Sequence, residues 1–217
     1  MGKNHRGLLI SFEGPEGSGK STQAEIVYKW LLKKGYETIL TWEPGGTELG
    51  KLVRDILLNR GLFIAPKAEM LLYGADRAQH VEEVIYPALK NGKIVLCDRF
   101  IDSSLAYQAY ARGLDINFVE QINILASGGL IPDLTLLFDL PIEEGFKRKK
   151  RGDFDRIERE SLEFHKAVRE GYLAVARNNP HRVKLIDASR PLESVAEAAI
   201  SAVDEFLKGW DGDAEAD

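Results

Sequence analysis

Gly14-Pro15-Glu16-Gly17-Ser18-Gly19-Lys20-Ser21 follows the apolar run Leu8-Leu9-Ile10-Ser11-Phe12 and leads into Thr22-Gln23-Ala24-Glu25-Ile26-Val27. The octapeptide satisfies GxxxxGK[ST] in the order the pattern needs, strand before and helix after. Its glycines permit a tight turn whose N–H groups aim inward, and the helix opening near Gly19 adds its positive end. Such a loop suits a polyphosphate, with Lys20 reaching the terminal phosphates and the Ser21 hydroxyl ligating Mg²⁺. A glycine-rich turn between any strand and helix is the plain alternative. The motif by itself names no reaction.

Outward from the loop, the chain has 217 residues, 44% of them hydrophobic, enough for one good-sized core. A net charge of −5 argues against a general nucleic-acid binder, so any polyanion must be met locally. One cysteine, Cys97, excludes an internal disulfide and a cysteine-built metal site, which suits a cytoplasmic protein. No stretch approaches the roughly twenty apolar residues that span a bilayer. Gly2 invites a lipidation reading, but Arg6 sits where Ser or Thr is wanted.

Short apolar runs at 8–13, 37–42, 93–98, 134–140 and 182–187 read as strands buried on both faces, which predicts a mostly parallel sheet. Amphipathic stretches between them predict helices near 19–34, 48–58, 67–90, 115–127, 142–150, 156–177 and 191–208, covering both faces of the sheet. A single domain over 1–210 is expected, and 211–217 reads as an acidic disordered tail.

Ligands of an open parallel sheet collect beyond the carboxyl ends of its strands. Those ends carry Glu13, Glu43-Pro44-Gly45-Gly46-Thr47 and Asp98-Arg99. Asp98 is the candidate to hold Mg²⁺ through its water shell, although strand-end aspartates also serve as caps. Arg99 beside it needs an anionic partner. Farther on, Lys147-Arg148-Lys149-Lys150-Arg151 precedes Gly152 and then Arg156. By composition this is a solvated helix end, yet Arg148, Arg151 and Arg156 around a glycine joint also describe a lid, about 147–157, that closes guanidinium groups over phosphate.

With these pieces assembled, the chain resembles the thymidylate kinase family over about residues 8–206. The motifs that carry the likeness are residues 12–21, Glu43-Pro44-Gly45-Gly46-Thr47, Tyr73-Gly74-Ala75-Asp76-Arg77-Ala78-Gln79-His80, and Asp98-Arg99-Phe100-Ile101-Asp102-Ser103-Ser104-Leu105-Ala106-Tyr107-Gln108. The last is the most specific. The resemblance implies a P-loop nucleoside monophosphate kinase fold with a five-stranded parallel sheet, phosphorylation of dTMP to dTDP by ATP with Mg²⁺, and a homodimer.

It also implies roles. Gly14, Pro15, Glu16, Gly17, Ser18, Gly19, Lys20, Ser21 and Thr22 would hold the ATP phosphates, and Arg190 would lie in the loop under adenine. Tyr73 would stack on thymine, where phenylalanine is usual in the family, and Arg77 would donate to a thymine carbonyl. Ser103, Ser104 and Gln108 would lie near the pyrimidine. Tyr107 would lie against the sugar. Arg54 and Arg99 would grip the acceptor phosphate, with Glu13 and Glu43 beside the acceptor. Each of these side chains reads, without the family, as core or surface decoration. Trp42 departs from the arginine of many relatives; it either removes a support of the loop or packs on the sheet.

The nucleophile of this reaction is an ionised phosphate oxygen, so the obstacle is repulsion between anions, about 4 kcal/mol per pair of unit charges at about 4 Å. Lys20, Mg²⁺, Arg54 and Arg99 would neutralise the ground state. The phosphate loop contains no arginine, so Arg148, Arg151 or Arg156 must meet the charge developing on the migrating group. Two other readings stand beside this one. A deoxynucleoside kinase would use Glu13 as a base; a nucleotide-driven switch is disfavoured by the lack of an Asn-Lys-x-Asp motif.

Overall fold

The computed structural model describes residues 7–148 and 154–213. Five strands, β1 (Leu8–Glu13), β2 (Thr38–Trp42), β3 (Ile94–Asp98), β4 (Leu134–Asp139) and β5 (Val183–Asp187), form one sheet in the order β2-β3-β1-β4-β5. Every pairing is parallel, with Leu8 opposite Ile94 and Ile10 opposite Leu134. β1 and β3 are buried almost throughout, as continuous apolar runs require.

Alternation along β1 divides its side chains between two cores. Leu8, Ile10 and Phe12 pack with Ala24, Val27 and Leu31 of α1 (Lys20–Lys34) and with Val195, Ala199 and Val203 of the last helix. Phe12 stacks on Phe138 of β4 at 6.0 Å. Leu9 faces the other way, with Val95, Cys97, Ile85 and Phe100. Each fully buried Leu or Phe in these layers contributes about 1.5–3 kcal/mol.

The remaining helices are α2 (Glu48–Leu58), α3 (Pro66–His80), α4 (Tyr86–Lys90), α5 (Ile101–Ser104), α6 (Ile116–Ser127), α7 (Ile142–Arg148), α8 (Leu162–Asn178) and α9 (Leu192–Asp213). Thr47 starts α2 by accepting from Gly50 N at 2.9 Å, and Ser161 starts α8 by accepting from Phe164 N at 3.1 Å. The segment expected as one helix over 67–90 is continuous but wound in three parts, because a π turn (Val81–Ile85) precedes Pro87, which lacks an N–H.

Three expectations are corrected. A helical stretch over 101–111, α5 running into a π turn (Leu105–Ala111), was not expected, since a wide turn breaks the 3.6-residue period. The helix expected from 156 starts at Leu162 instead. Asp155 Oδ1 accepts from Ile157 N at 2.8 Å and Glu158 N at 2.9 Å, which holds a turn where helix was predicted. At the other end, α9 runs to Asp213, into the stretch expected to be a disordered tail; the apolar face that carries Val203 and Leu207 extends to Trp210, which packs on the core. The lid residues 149–153, including Arg151 and Gly152, and the last four residues lie outside the described residues.

Candidate active site

The carboxyl ends of β1, β2 and β3 open into a cavity of about 550 Å³, lined by Lys20 and Ser21 of the loop and by groups from α2, α3 and the 98–111 stretch. Gly19, with φ 82°, turns the chain into α1 and leaves Lys20 only 7% exposed despite its charge. The Ser21 hydroxyl donates to Asp98 Oδ2, and Asp98 Oδ1, buried, has no hydrogen-bond partner among the described residues. A hard-cation site needs such a pair: a hydroxyl ligand beside a carboxylate with a lone pair left for metal-bound water. The donor set fits Mg²⁺.

Arg99 occupies left-handed backbone, φ 70°, directly after β3. Its Nη2 pairs with Glu16 of the phosphate loop, and its Nη1 donates to Tyr172 Oη at 3.0 Å, Ser103 Oγ at 3.3 Å and Gly14 O at 3.4 Å. The guanidinium carbon lies 5.2 Å from the centre of the Tyr107 ring. Glu13 beneath it is fully buried, accepting from Phe100 N at 2.7 Å, Ser103 Oγ at 2.6 Å and Tyr172 Oη at 3.1 Å. Burial first, and the charge of Asp102 second, push the Glu13 carboxyl up to about 7. Burial likewise pushes the Tyr73, Tyr107 and Tyr172 phenols up, so all three remain hydroxyl donors at neutral pH.

On the far wall Arg77 is only 2% exposed. Nε donates to Glu43 Oε2 at 2.8 Å, Nη1 to Ser104 Oγ at 3.0 Å and Asn123 Oδ1 at 2.5 Å, and Nη2 to Phe100 O at 3.1 Å. One N–H of five is left for a ligand. Glu43, expected beside the acceptor, borders the cavity and braces Arg77, and its other oxygen meets His80 Nδ1 at 3.0 Å. Glu43, His80 and Cys97 converge, but His80 Nε2 bonds Thr41 Oγ1 at 2.6 Å and Cys97 Sγ donates to Arg99 O, so the cluster is a closed hydrogen-bond network.

Gln108, which borders the cavity, donates from Nε2 to Glu69 Oε1 at 2.9 Å. Tyr73 and Tyr107 line the same cavity. Arg54 Nη1 donates to Pro44 O at 2.9 Å. Trp42, the last residue of β2, is 48% exposed and borders the cavity, and its indole nitrogen lies beside Gly45.

Of the arginines assigned to the lid, Arg148 and Arg156 lie apart. Arg148 Nη2 donates to Ala188 O at 2.9 Å and, with Ser18, Gly19, Arg190 and Pro191, lines a second cavity of about 300 Å³ on the other side of the loop. Arg190 pairs with Asp187 at 3.2 Å. Arg156 donates to Leu57 O at 2.7 Å and Glu69 Oε2 at 2.6 Å. Within the loop Pro15 O accepts from Ser18 N at 3.3 Å, and Thr22 lies in the first turn of α1.

Sequence reasoning missed Tyr172, Glu69, the pair of Asp102 with Arg182 at 2.7 and 2.8 Å, and Gly145. Glu69 is fully buried and collects Gln108, Arg112 and Arg156. Tyr172 on an amphipathic helix carries no signal beyond core. Gly145 packs bare against the loop: a Cβ on Gly17 would stand 2.7 Å from Gly145 Cα.

The family model described as thymidylate kinase matches residues 12–199. The thymidylate kinase of Thermoanaerobacter sp. (strain X514) is 49% identical over 202 residues, covering 93% of this chain and all of that one. That of Carboxydothermus hydrogenoformans is 48% identical over 208 residues, covering 95% and 100%. The crystal structure of thymidylate kinase from Ehrlichia chaffeensis superposes with a TM-score of 0.72 at 34% identity, covering 91% of this chain and 98% of that one.

Proposed function

From its membership of the thymidylate kinase family, the chain phosphorylates dTMP to dTDP with ATP, and we propose that it does so in the 550 Å³ crevice, with the following division of labour. The observation that carries this reading is the junction of the phosphate loop with the Arg99 site, where Glu16 and Arg99 pair across it. ATP phosphates lie on residues 14–22 with Lys20, and the adenine lies in the second cavity between Arg148 and Arg190. dTMP lies with its base between Tyr73 and the amide of Gln108, its sugar on Tyr107 and its phosphate between Arg54 and Arg99. Ser103, Ser104 and Glu13 shape that side.

Ser21 and Asp98 would hold Mg²⁺, which when bound neutralises part of the phosphate charge. Glu13 holds a proton through much of the neutral range, but the attacking phosphate oxygen is already ionised and needs no base. Arg148, Arg151 or Arg156 would meet the developing charge on the migrating group, and Arg151, beside the glycine joint, is the one put to the test. Such a guanidinium contributes about 10³ to 10⁵ in rate.

A homodimer is the assembly proposed. Leu49, Leu52 and Ile56 form an exposed stripe on α2, continued by Leu71 of α3 and Leu125 of α6, an apolar face of the kind a second copy covers; sedimentation at micromolar concentration reads it, and a purely monomeric profile removes it. No helix among the described residues is long and apolar enough to cross a membrane. A cytoplasmic setting is proposed, in keeping with the single thiol.

A coupled ADP-release assay over dTMP, dUMP, dCMP and thymidine tests the acceptor assignment. Turnover with dTMP well above the others is expected. Thymidine turning over as fast as dTMP would contradict a site built around an acceptor phosphate.

A further inference from the structure

Tyr172 of α8 is 1% exposed and 159 residues from Glu13 in the chain, yet its hydroxyl meets three groups of the crevice. The oxygen accepts from Arg99 Nη1 at 3.0 Å, lies 2.7 Å from Ser103 Oγ, and donates to Glu13 Oε2 at 3.1 Å. Ser103 Oγ reaches the same Glu13 oxygen at 2.6 Å. Packing does not ask for this hydroxyl. The ring stands edge-on to Tyr107 at 6.2 Å, and phenylalanine would fill that volume equally well. A buried hydroxyl without partners is destabilising, so its place here follows from what it holds.

What it holds is a cation. Of the three bonds made by Arg99 Nη1, the one to Tyr172 is the shortest. The hydroxyl has one proton, given toward Glu13, and lone pairs that receive the guanidinium. The order Arg99 N–H, Tyr172 O–H, Glu13 carboxyl is therefore a polar chain that fixes the inner edge of the guanidinium. Glu13 is anchored by Phe100 N at 2.7 Å, so the chain ends on backbone.

We propose that Tyr172 is a positioning residue for the acceptor nucleotide: its hydroxyl, held by Glu13, sets the orientation in which Arg99 receives the phosphate of dTMP. This rests on Arg99 gripping that phosphate. The test is Tyr172→Phe in the full chain, beside Arg99→Lys and the double variant, with KM for dTMP, KM for ATP and kcat measured separately. Tyr172→Phe loses the hydrogen bonds to Arg99 and Glu13, of which the one to the guanidinium fixes the phosphate ligand, and should raise the dTMP KM about tenfold. Because Arg99 also faces Glu16, kcat should fall by no more than about threefold, and the ATP KM should be unchanged. The ATP KM also reports that the variant is folded.

In the Arg99→Lys background the same change should add little, since both remove one interaction. A role in packing alone would leave the dTMP KM of Tyr172→Phe at the parent value. If Arg99→Lys raises the dTMP KM while Tyr172→Phe does not, the positioning role is overturned and the site assignment survives. If Arg99→Lys leaves the dTMP KM unchanged, the assignment itself fails, and the proposal with it.

Discussion

Replacing Gly145 by alanine adds one methyl where α7 meets the phosphate loop. The new Cβ would overlap the carbonyl oxygen of Glu16, and it would lie 3.4 Å from the carbonyl carbon and 3.7 Å from Leu140 Cδ2. The obstructing atom is backbone, and Gly17 opposite has no side chain to fold away. Ordinary contact begins near 3.5 Å, so loop and helix must part by about 1 Å. A misplacement of about 1 Å in reacting groups lowers rate about 10²-fold. The overpacking itself costs about 1–3 kcal/mol of stability, roughly 2–12 °C in melting temperature. Steady-state kinetics at saturating dTMP, with thermal melting in parallel, separate the two effects. The expected variant is folded, with kcat down about a hundredfold and a higher ATP KM. An alanine variant that keeps kcat within threefold of the parent would refute the idea that the loop is seated on a bare helix surface.

Two further outcomes are expected. Arg151→Ala should lower kcat by about 10³-fold while the dTMP dissociation constant changes little; equal single-turnover rates in variant and parent would remove Arg151 from the catalytic set. The raised Glu13 carboxyl has a stability consequence whose sign is set by proton uptake: the folded chain holds a proton that the unfolded chain releases between pH 4.5 and about 7. Stability contributed by this group is thus present at or below pH 4.5 and is lost as pH rises to about 7, a loss of about 3 kcal/mol. Denaturant unfolding of the parent and Glu13→Gln across that window should diverge, and parallel curves would show that Glu13 does not titrate there.

The strands and the phosphate loop were legible because their signals are local. An apolar run is buried wherever it falls, and the GxxxxGK[ST] glycines impose their turn without outside help. Asp98 and Arg99 were legible for a related reason: they follow a strand end, and in a parallel sheet that end faces the ligand. The supports of the site were not legible. Tyr172 looks like any apolar helix residue until Glu13, 159 positions away, lies beside it. Glu69 reads as a solvated helix charge, yet it is fully buried because Gln108 and Arg112 come to it from one distant stretch and Arg156 from another. Arg77 shows the limit of carrying a role by position, since its own neighbours occupy four of its five donors. Arg148 reaches Ala188 and Arg156 reaches Glu69, partners far from both in the chain, and no spacing between the two arginines encodes that split.

The wide turn at Leu105–Ala111 holds one more residue per turn than the helical winding before it. In an α-helix each residue advances the side chains by about 100°, so this surplus decides which way Tyr107 and Gln108 look. Their aim is thus a matter of chain length as much as of residue type. Gaining or losing a single codon there would re-aim the wall against which the base and sugar rest, and would leave every strand and the loop that holds the donor where they are.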